Sequence, residues 1–254
     1  MTRRRYELTD HEWSIISPLL PNKPRGVARV DDRRVLNGIL WRFRTGSPWA
    51  EVPERYGPPT TCYNRFVRWR KAGVWDRLLE AVSKAYDGDI VMIDSTCVRV
   101  HQHAATGKKG DGDDGGMGRS RGGLTSKIHA LVDAEGRPVN LRLTGGQIAD
   151  CAEADALTEE LGEGDILLAD KGYDTNAIRA KAAERKAWAN IPPKSNRKGS
   201  FVFSRWVYRQ RNLVERFFNR IKQFRGIATR YDKRPENYLA AVKLVATRIW
   251  CQSL

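Results

Sequence analysis

The sequence predicts an α/β protein: a mixed sheet flanked by helices, preceded by an N-terminal all-helical domain. Three observations carry this. Residues 1–85 hold apolar side chains at helical spacing; β-branched, alternating segments begin near residue 89; from there strand-like and helix-like segments interleave. With 254 residues, 41% of them hydrophobic and 30% charged, the chain is long enough for one large domain or two small ones and too apolar for a disordered one.

The first segment, 8–20, opens with Thr9 as helix N-cap and Glu12 three residues on, the capping-box pattern. Trp13, Ile16 and Leu20 recur at helical spacing, and the run at 21–26, with its prolines and glycine, ends the helix. A second helix runs from Asp31, with Val35, Ile39 and Phe43 on one face and Gly46 just past its end. A third starts at Thr60 or Thr61 and carries Arg65, Arg68 and Arg70 beside Tyr63, Phe66 and Trp69. Helices in series ending in a basic one give the outline of a helix-turn-helix DNA reader. The competing reading is a packing domain whose arginines are merely solvated.

Residues 89–100 alternate and are rich in β-branched side chains, which predicts a strand. The glycine-rich run 104–123 reads as a flexible loop. Strands are expected at 126–133 and 137–145, joined as a hairpin at Ala134, Glu135 and Gly136. A helix follows over 150–161, a short buried strand over 165–170, a helix over 174–186 and a strand at 188–192. A long helix over 204–224 and a final one over 235–251 complete the chain. Three strands, then helix, strand, helix, strand and two helices, is the ribonuclease-H-like order.

Lys and Arg number 45 against 30 Asp and Glu, a net charge of +15. Such a balance points to a polyanionic partner, most often nucleic acid, with a solvated basic surface as the bland alternative. The charge is uneven: +7 over 1–88, −4 over 89–191 and +12 over 192–254. An acidic centre between basic ends suits a nuclease-like enzyme, which holds metal ions with carboxylates and a phosphate backbone with cationic arms. No apolar run approaches the roughly 18 residues of a membrane span, and no apolar stretch follows the basic start as in a secretory signal. The four cysteines (Cys62, Cys97, Cys151, Cys251) form no CxxC pair, so reduced thiols are expected rather than a zinc knuckle or disulfides. A cytoplasmic, nucleoid-associated protein is the expectation.

Asp94 closes an apolar strand, and Asp170 repeats the situation. Two aspartates at the ends of two strands of one sheet can lie side by side at its rim, where a cation would neutralise their repulsion. Strand-end aspartates also simply start turns. A third acid should come from a helix packed on that rim, and Glu215 stands in an otherwise basic run. At about 100° per residue, Tyr208, Arg211, Glu215 and Lys222 share one narrow stripe. Val214, Phe217, Ile221 and Phe224 fall on the core side. Arg211 and Glu215 also fit a plain i,i+4 surface pair.

Tyr208, Arg211, Glu215 and Lys222 have the spacing Y-x2-R-x3-E-x6-K. This resembles the signature around the catalytic glutamate of bacterial insertion-sequence transposases of the DDE class. With D-S-T at 94–96, A-D-K-G-Y-D at 169–174, T-G-G-Q at 144–147, H-Q-H-A-A-T-G at 101–107 and the L-T-D-x-x-W opening, essentially the whole chain looks like a transposase of the IS-five superfamily.

The resemblance implies a helical DNA-binding domain at 1–85 and a ribonuclease-H-like catalytic domain at 86–254. It implies that Asp94, Asp170 and Glu215 bind two Mg2+ ions, with Mn2+ as a substitute. The enzyme would nick double-stranded DNA at the terminal inverted repeats of its element and join the freed 3′ ends to target DNA, without ATP. Lys222 would contact a phosphate as a point charge, Arg211 would orient Glu215 or bind the backbone, and Tyr208 would pack on a sugar. Arg65, Arg68, Arg70, His101 and Lys171 are the further candidate DNA contacts. His101 and His103 at i and i+2 lack the partners of a zinc site, so DNA contact or packing is expected of them. Gln147 is within reach of the site by sequence order, and Trp206 and Trp250 are expected in the core. A homodimer or larger assembly is expected, since two DNA ends must meet. Two other readings stay open: a ribonuclease-H-like nuclease without strand transfer, and a DNA-binding regulator. A regulator has no use for three acids on separate elements.

Overall fold

The structure is a computed structural model and describes residues 6–21, 31–86, 88–106, 115–120, 122–159 and 161–254. In chain order the elements are α1 (Asp10–Ile16), α2 (Asp32–Thr45), α3 (Pro59–Lys71), α4 (Val74–Ser83), β1 (Ile90–Val100), α5 (Gln102–Ala105), β2 (Gly118–Ser120), β3 (Gly123–Asp133), β4 (Pro138–Gly145), α6 (Ala154–Leu157), β5 (Ile166–Leu168), α7 (Asn176–Glu184), β6 (Trp188–Asn190), α8 (Arg205–Tyr208), α9 (Asn212–Lys222), α10 (Arg225–Ala228) and α11 (Pro235–Cys251). They form two compact units. One holds Met1–Ala85, Val100–Gly107 and Ile221–Leu254; the other holds Tyr86–Arg99 and Lys108–Arg220. The sequence suggests a single division at residue 85, whereas the last helices group with the N-terminal ones.

The helical unit is built around aromatic packing. Phe66 stands 5.2 Å from Phe43 and 5.7 Å from Trp75, ring centre to ring centre. The Trp75 indole N–H donates to the Phe66 carbonyl at 3.2 Å, so the buried ring leaves no polar atom unpaired. α1 starts with the expected capping box: the Thr9 hydroxyl accepts from Glu12 N, and the Glu12 carboxylate accepts from Thr9 N. Glu12 also takes the Arg248 guanidinium of α11 at 3.0 Å. α2 ends at Gly46, whose left-handed φ of 74° only glycine adopts without strain.

Thirteen residues with two short 3-10 turns separate α2 from α3, and the close turn comes instead between α3 and α4, at Ala72 and Gly73. α4, unread in the sequence, buries Val74, Trp75, Leu78, Leu79 and Val82.

The second unit is a mixed sheet flanked by helices. β1 pairs antiparallel with β3 and parallel with β5, β5 pairs parallel with β6, and β4 pairs antiparallel with β3. The order β4-β3-β1-β5-β6 is the ribonuclease-H-like sheet that the strand sequence predicts. One face packs Val91, Ile93, Leu131, Leu157, Leu167 and Ile178 into a continuous apolar core.

Several elements differ from expectation. Gln102–Ala105 is helical and Gly118–Ser120 is a strand, inside and beside the run read as loop; 107–114 and 121 lie outside the described residues. The helix expected at 150–161 is a 3-10 turn and one α-turn. The long helix is broken: α8, a 3-10 turn at Arg209–Arg211, then α9. Trp206 is 73% exposed, not core, whereas Trp250 is fully buried. No described helix is long and apolar enough to cross a membrane.

One buried carboxylate ties the loop after β5 to α7 and to the segment near residue 195. Asp174 accepts from Arg179 Nε at 2.7 Å, Arg197 Nε at 2.9 Å and Lys194 N at 2.8 Å. Burial pushes its carboxyl up, but these donors outweigh it and hold the group at about 2 against an ordinary 3.8. A folded-state value below the unfolded one adds stability above about pH 4 that is lost as pH falls toward 2. Asp174→Asn is expected to cost about 2 kcal/mol at pH 7 and to flatten the acid limb of the stability curve. Urea unfolding of both proteins between pH 7 and 2 checks this; an acid limb identical to wild type would contradict it.

Candidate active site

The register of the sheet sets the first two carboxylates. Met92 of β1 is level with Leu168 of β5, and the strands are parallel. Asp94 and Asp170 each lie two residues further on, so they are level with each other and on the same side, on neighbouring strand ends. β5 stops before Asp170, whereas β1 continues beyond Asp94 to Val100. Asp170 caps a 3-10 turn at Lys171–Tyr173, its Oδ1 accepting from Gly172 N at 2.8 Å. A Cβ at Gly172 would stand 2.9 Å from that oxygen, so glycine is what lets the turn close on the carboxylate.

Asp94 Oδ1 accepts from Ser95 N at 2.8 Å, and Oδ2 accepts from Arg211 Nη1 at 2.9 Å. Arg211 then bonds Glu215 through Nη2. One guanidinium therefore bridges the first and third acids. Burial and repulsion from Asp170 push the Asp94 carboxyl up, and the Ser95 N–H and Arg211 work against them. Glu215 is held in place from behind, because Val214, Phe217 and Ile221 of α9 are buried as the sequence spacing predicts. Among the described residues, no three His, Cys, Asp or Glu side chains stand close enough together to hold an ion as they are. The guanidinium supplies the positive charge instead.

A second layer that sequence reasoning missed lies against this pair. The Ser95 hydroxyl donates to Asp150 Oδ1 at 2.6 Å. The buried Lys127 ammonium donates to the same oxygen at 2.7 Å. Burial pushes the Asp150 carboxyl up, but the bonds from Lys127 and Ser95 prevail and hold it low. His129 Nε2 meets the Thr144 hydroxyl at 2.8 Å; burial and the nearby Lys127 lower the imidazole to about 4, so it is neutral at pH 7. Tyr173 is fully buried, with its hydroxyl beside that of Ser95. The signal for Lys127 was the single Lys or Arg in its strand. For Asp150 it was an acid closing the T-G-G-Q-I-A-D run.

The remaining expected residues scatter. Tyr208 lies with its ring 5.3 Å from Phe203 and 5.8 Å from the Arg211 guanidinium, so it packs on Arg211. Lys222 closes α9 seven residues past Glu215, on the same side of the helix. Lys171 is exposed beside Asp170. Gln147 lies over Gly118, where any side chain would collide with it. Arg65 corrects an expectation: it is 6% exposed and ion-paired with Asp32, so it is spent on packing rather than turned to solvent. Arg70 is half-buried near Glu236, and Arg68 is exposed. His101 caps α5 and stacks 4.8 Å from Tyr231, within the helical unit.

The sheet order is that of a ribonuclease-H-like architecture. The chain belongs to the DDE transposase family: the transposase DDE domain matches residues 85–250, and a family described as a putative transposase of the IS4/5 family matches residues 8–79. It is thus a transposase of the insertion-sequence type. A putative transposase for insertion sequence element IS6501 of Brucella ovis is 34% identical over 128 residues, half of this chain and 98% of the relative. An uncharacterized protein, y4sN, of Sinorhizobium fredii is 37% identical over 119 residues, 46% of this chain and 94% of the relative. A Mos1 transposase paired-end complex aligns over 92% of this chain and 81% of its own at 13% identity, with a TM-score of 0.28, a remote similarity.

Because Asp94 sits above its ordinary carboxyl value, its ionised form opposes folding, and stability is lost as pH rises through its titration. Asp94→Asn removes that charge and keeps the shape. In EDTA at pH 7, the variant is expected to melt no lower than wild type. A melting point several degrees lower would contradict the reading of Asp94 as an acid whose charge is penalised by burial and by Asp170 more than Arg211 and Ser95 relieve it.

Proposed function

We propose that this transposase nicks double-stranded DNA at the terminal inverted repeats of its insertion sequence and joins the freed 3′ ends to target DNA. Asp94, Asp170 and Glu215 would hold two divalent cations, ordinarily Mg2+. The observation that carries this reading is the parallel register that sets Asp94 level with Asp170, with Glu215 tied to Asp94 through Arg211. The donor set fits such a cation. It is all carboxylate oxygen, the chemistry Mg2+ prefers. It also contains a repelled acid pair.

When bound, a cation pair activates the attacking oxygen and stabilises the leaving one in an in-line displacement. The chain's own residues do the rest. Arg211 neutralises Asp94 and Glu215 until they are needed, then is free to meet a phosphate, bidentate, with its fork of N–H donors. Lys222 and Lys171 offer point charges toward the DNA backbone. Tyr208 braces Arg211.

The helical unit supplies further contact to the duplex. Its exposed Arg68 is the candidate there, with Arg70 and His101 as lesser ones. The net charge of +15 supports a polyanionic partner. Residues 1–85 act as the DNA-reading part and 86–254 as the catalytic part, with 221–254 packed among the N-terminal helices. Pairing two DNA ends calls for a dimer or larger assembly, working where the genome lies, in the bacterial cytoplasm.

A labelled duplex carrying the element's own end tests this. With Mg2+, wild type is expected to nick at the repeat boundary and yield strand-transfer products, while Glu215→Gln binds and does not cut. Equal cutting by both would remove Glu215 from the site. Nicking without strand transfer would make the protein a nuclease.

A further inference from the structure

Among the described residues of the sheet unit, the large apolar side chains open to solvent are Phe201, Val202 and Trp206, all within six residues. Trp206 is 73% exposed and Val202 78%. Single exposed apolar side chains are ordinary, whereas a cluster of them rimmed by polar groups is the mark of a binding surface.

The chain that presents them is held from behind. Ser204 N donates to Asn190 Oδ1 at 2.9 Å, and Asn190 Nδ2 donates to the Ser204 carbonyl at 3.1 Å, so this segment is bonded both ways to β6. Trp188 of β6 donates its indole N–H to the Val202 carbonyl at 3.4 Å. The Ser204 hydroxyl accepts from Val207 N and starts α8. Phe203 packs its ring 5.3 Å from that of Tyr208. The bonds to the sheet fix the backbone and leave Trp206 presented to solvent. A ring already held in place loses little freedom when it is covered.

The charge around it is of one sign. Between Glu184 and Glu215 the chain has no acid and eight Lys or Arg. Arg197 is committed to Asp174, and Arg211 to Asp94 and Glu215. Lys198, Arg205 and Arg209 are exposed and make no ion pair among the described residues. An open aromatic ring beside unpaired cations fits a partner with flat apolar faces and regular negative charge. A single nucleic-acid strand has both, while a duplex keeps the faces of its bases inside the stack. A second copy of this chain bringing the same surface would set like charges against each other.

Resting on the reading of this protein as one that cuts DNA, we infer that the α8 surface is a docking platform for unpaired DNA. A base stacks on Trp206 while Lys198, Arg205 and Arg209 hold the phosphates beside it. Trp206 stands five residues before Arg211 on a path that is helical throughout. At the rise of α and 3-10 turns that is roughly 8–10 Å, so one strand reaches both. Stacking accepts any base, so the platform adds affinity for the strand without reading its sequence.

The test is fluorescence anisotropy of labelled oligothymidylate and of a hairpin-closed duplex with the full chain in EDTA, for wild type, Trp206→Ala and Trp206→Phe. Wild type is expected to bind both. Trp206→Ala should bind the single strand about tenfold more weakly, the size of one lost stack, and the duplex as wild type does. Trp206→Phe, which keeps a ring, should fall between the two on the single strand. Single-strand affinity of Trp206→Ala equal to wild type, or an equal loss on both DNAs, would overturn the platform and leave the DNA-cutting reading in place. So would a smaller assembly of Trp206→Ala in sedimentation with single-strand binding unchanged, which would make the surface a contact between copies. Binding of neither DNA by wild type would overturn both readings.

Discussion

Two negative charges held level on adjacent parallel strands are the constraint on which the rest of this structure turns. The β1–β5 register brings Asp94 beside Asp170, and the backbone cannot relieve the repulsion without giving up the parallel pairing of three residues on each strand, two of them buried. Everything nearest the pair answers that charge. The Ser95 N–H and the Arg211 guanidinium go to Asp94, and the Gly172 N–H goes to Asp170. Behind them the buried Lys127 neutralises Asp150, which in turn holds Ser95. This costs stability that a protein built only to fold would not give up, the usual sign of a site kept for chemistry.

The third acid is tied to the pair through Arg211 and comes from a helix, α9, rather than a strand. Its buried side is apolar and fixes the helix, through Val214, Phe217 and Ile221. Its other side carries Arg216, Arg220 and Lys222 with Asn212 and Asn219, and Glu215 is its one acid. An acid set among bases is neutralised wherever it points, and here the neutralising base is Arg211, shared with Asp94. One arginine thus joins the first acid to the third, and in the function proposed above it stands where a cation would. The family to which the chain belongs generally works with divalent cations, which agrees with that reading.

Much of this was legible in the sequence. Asp94 and Asp170 stood out because each ends an apolar run. Glu215 stood out because it is a lone acid on a stripe. The capping box at Thr9 and the hairpin after Asp133 are local chemistry, fixed by residues a few positions apart. What was not legible is tertiary. Periodicity alone does not distinguish α-helix from the 3-10 turn at Arg209–Arg211. Arg65 reads as a surface base until Asp32 is seen beside it. Lys127 and Asp150 lie 23 residues apart, and nothing local marks them as a pair. The grouping of Ile221–Leu254 with the N-terminal helices depends on long-range packing that a linear scan does not reveal.

In the proposed function Arg211 holds the place of a cation between acids on separate elements. Anomalous diffraction from crystals of the protein soaked in Mn2+ tests it most directly. The expected result is a strong Mn2+ peak bounded by the carboxylates of Asp94 and Asp170, with the Arg211 guanidinium withdrawn from Asp94. A peak elsewhere, or Mn2+ bound while Arg211 keeps both its ion pairs, would contradict it.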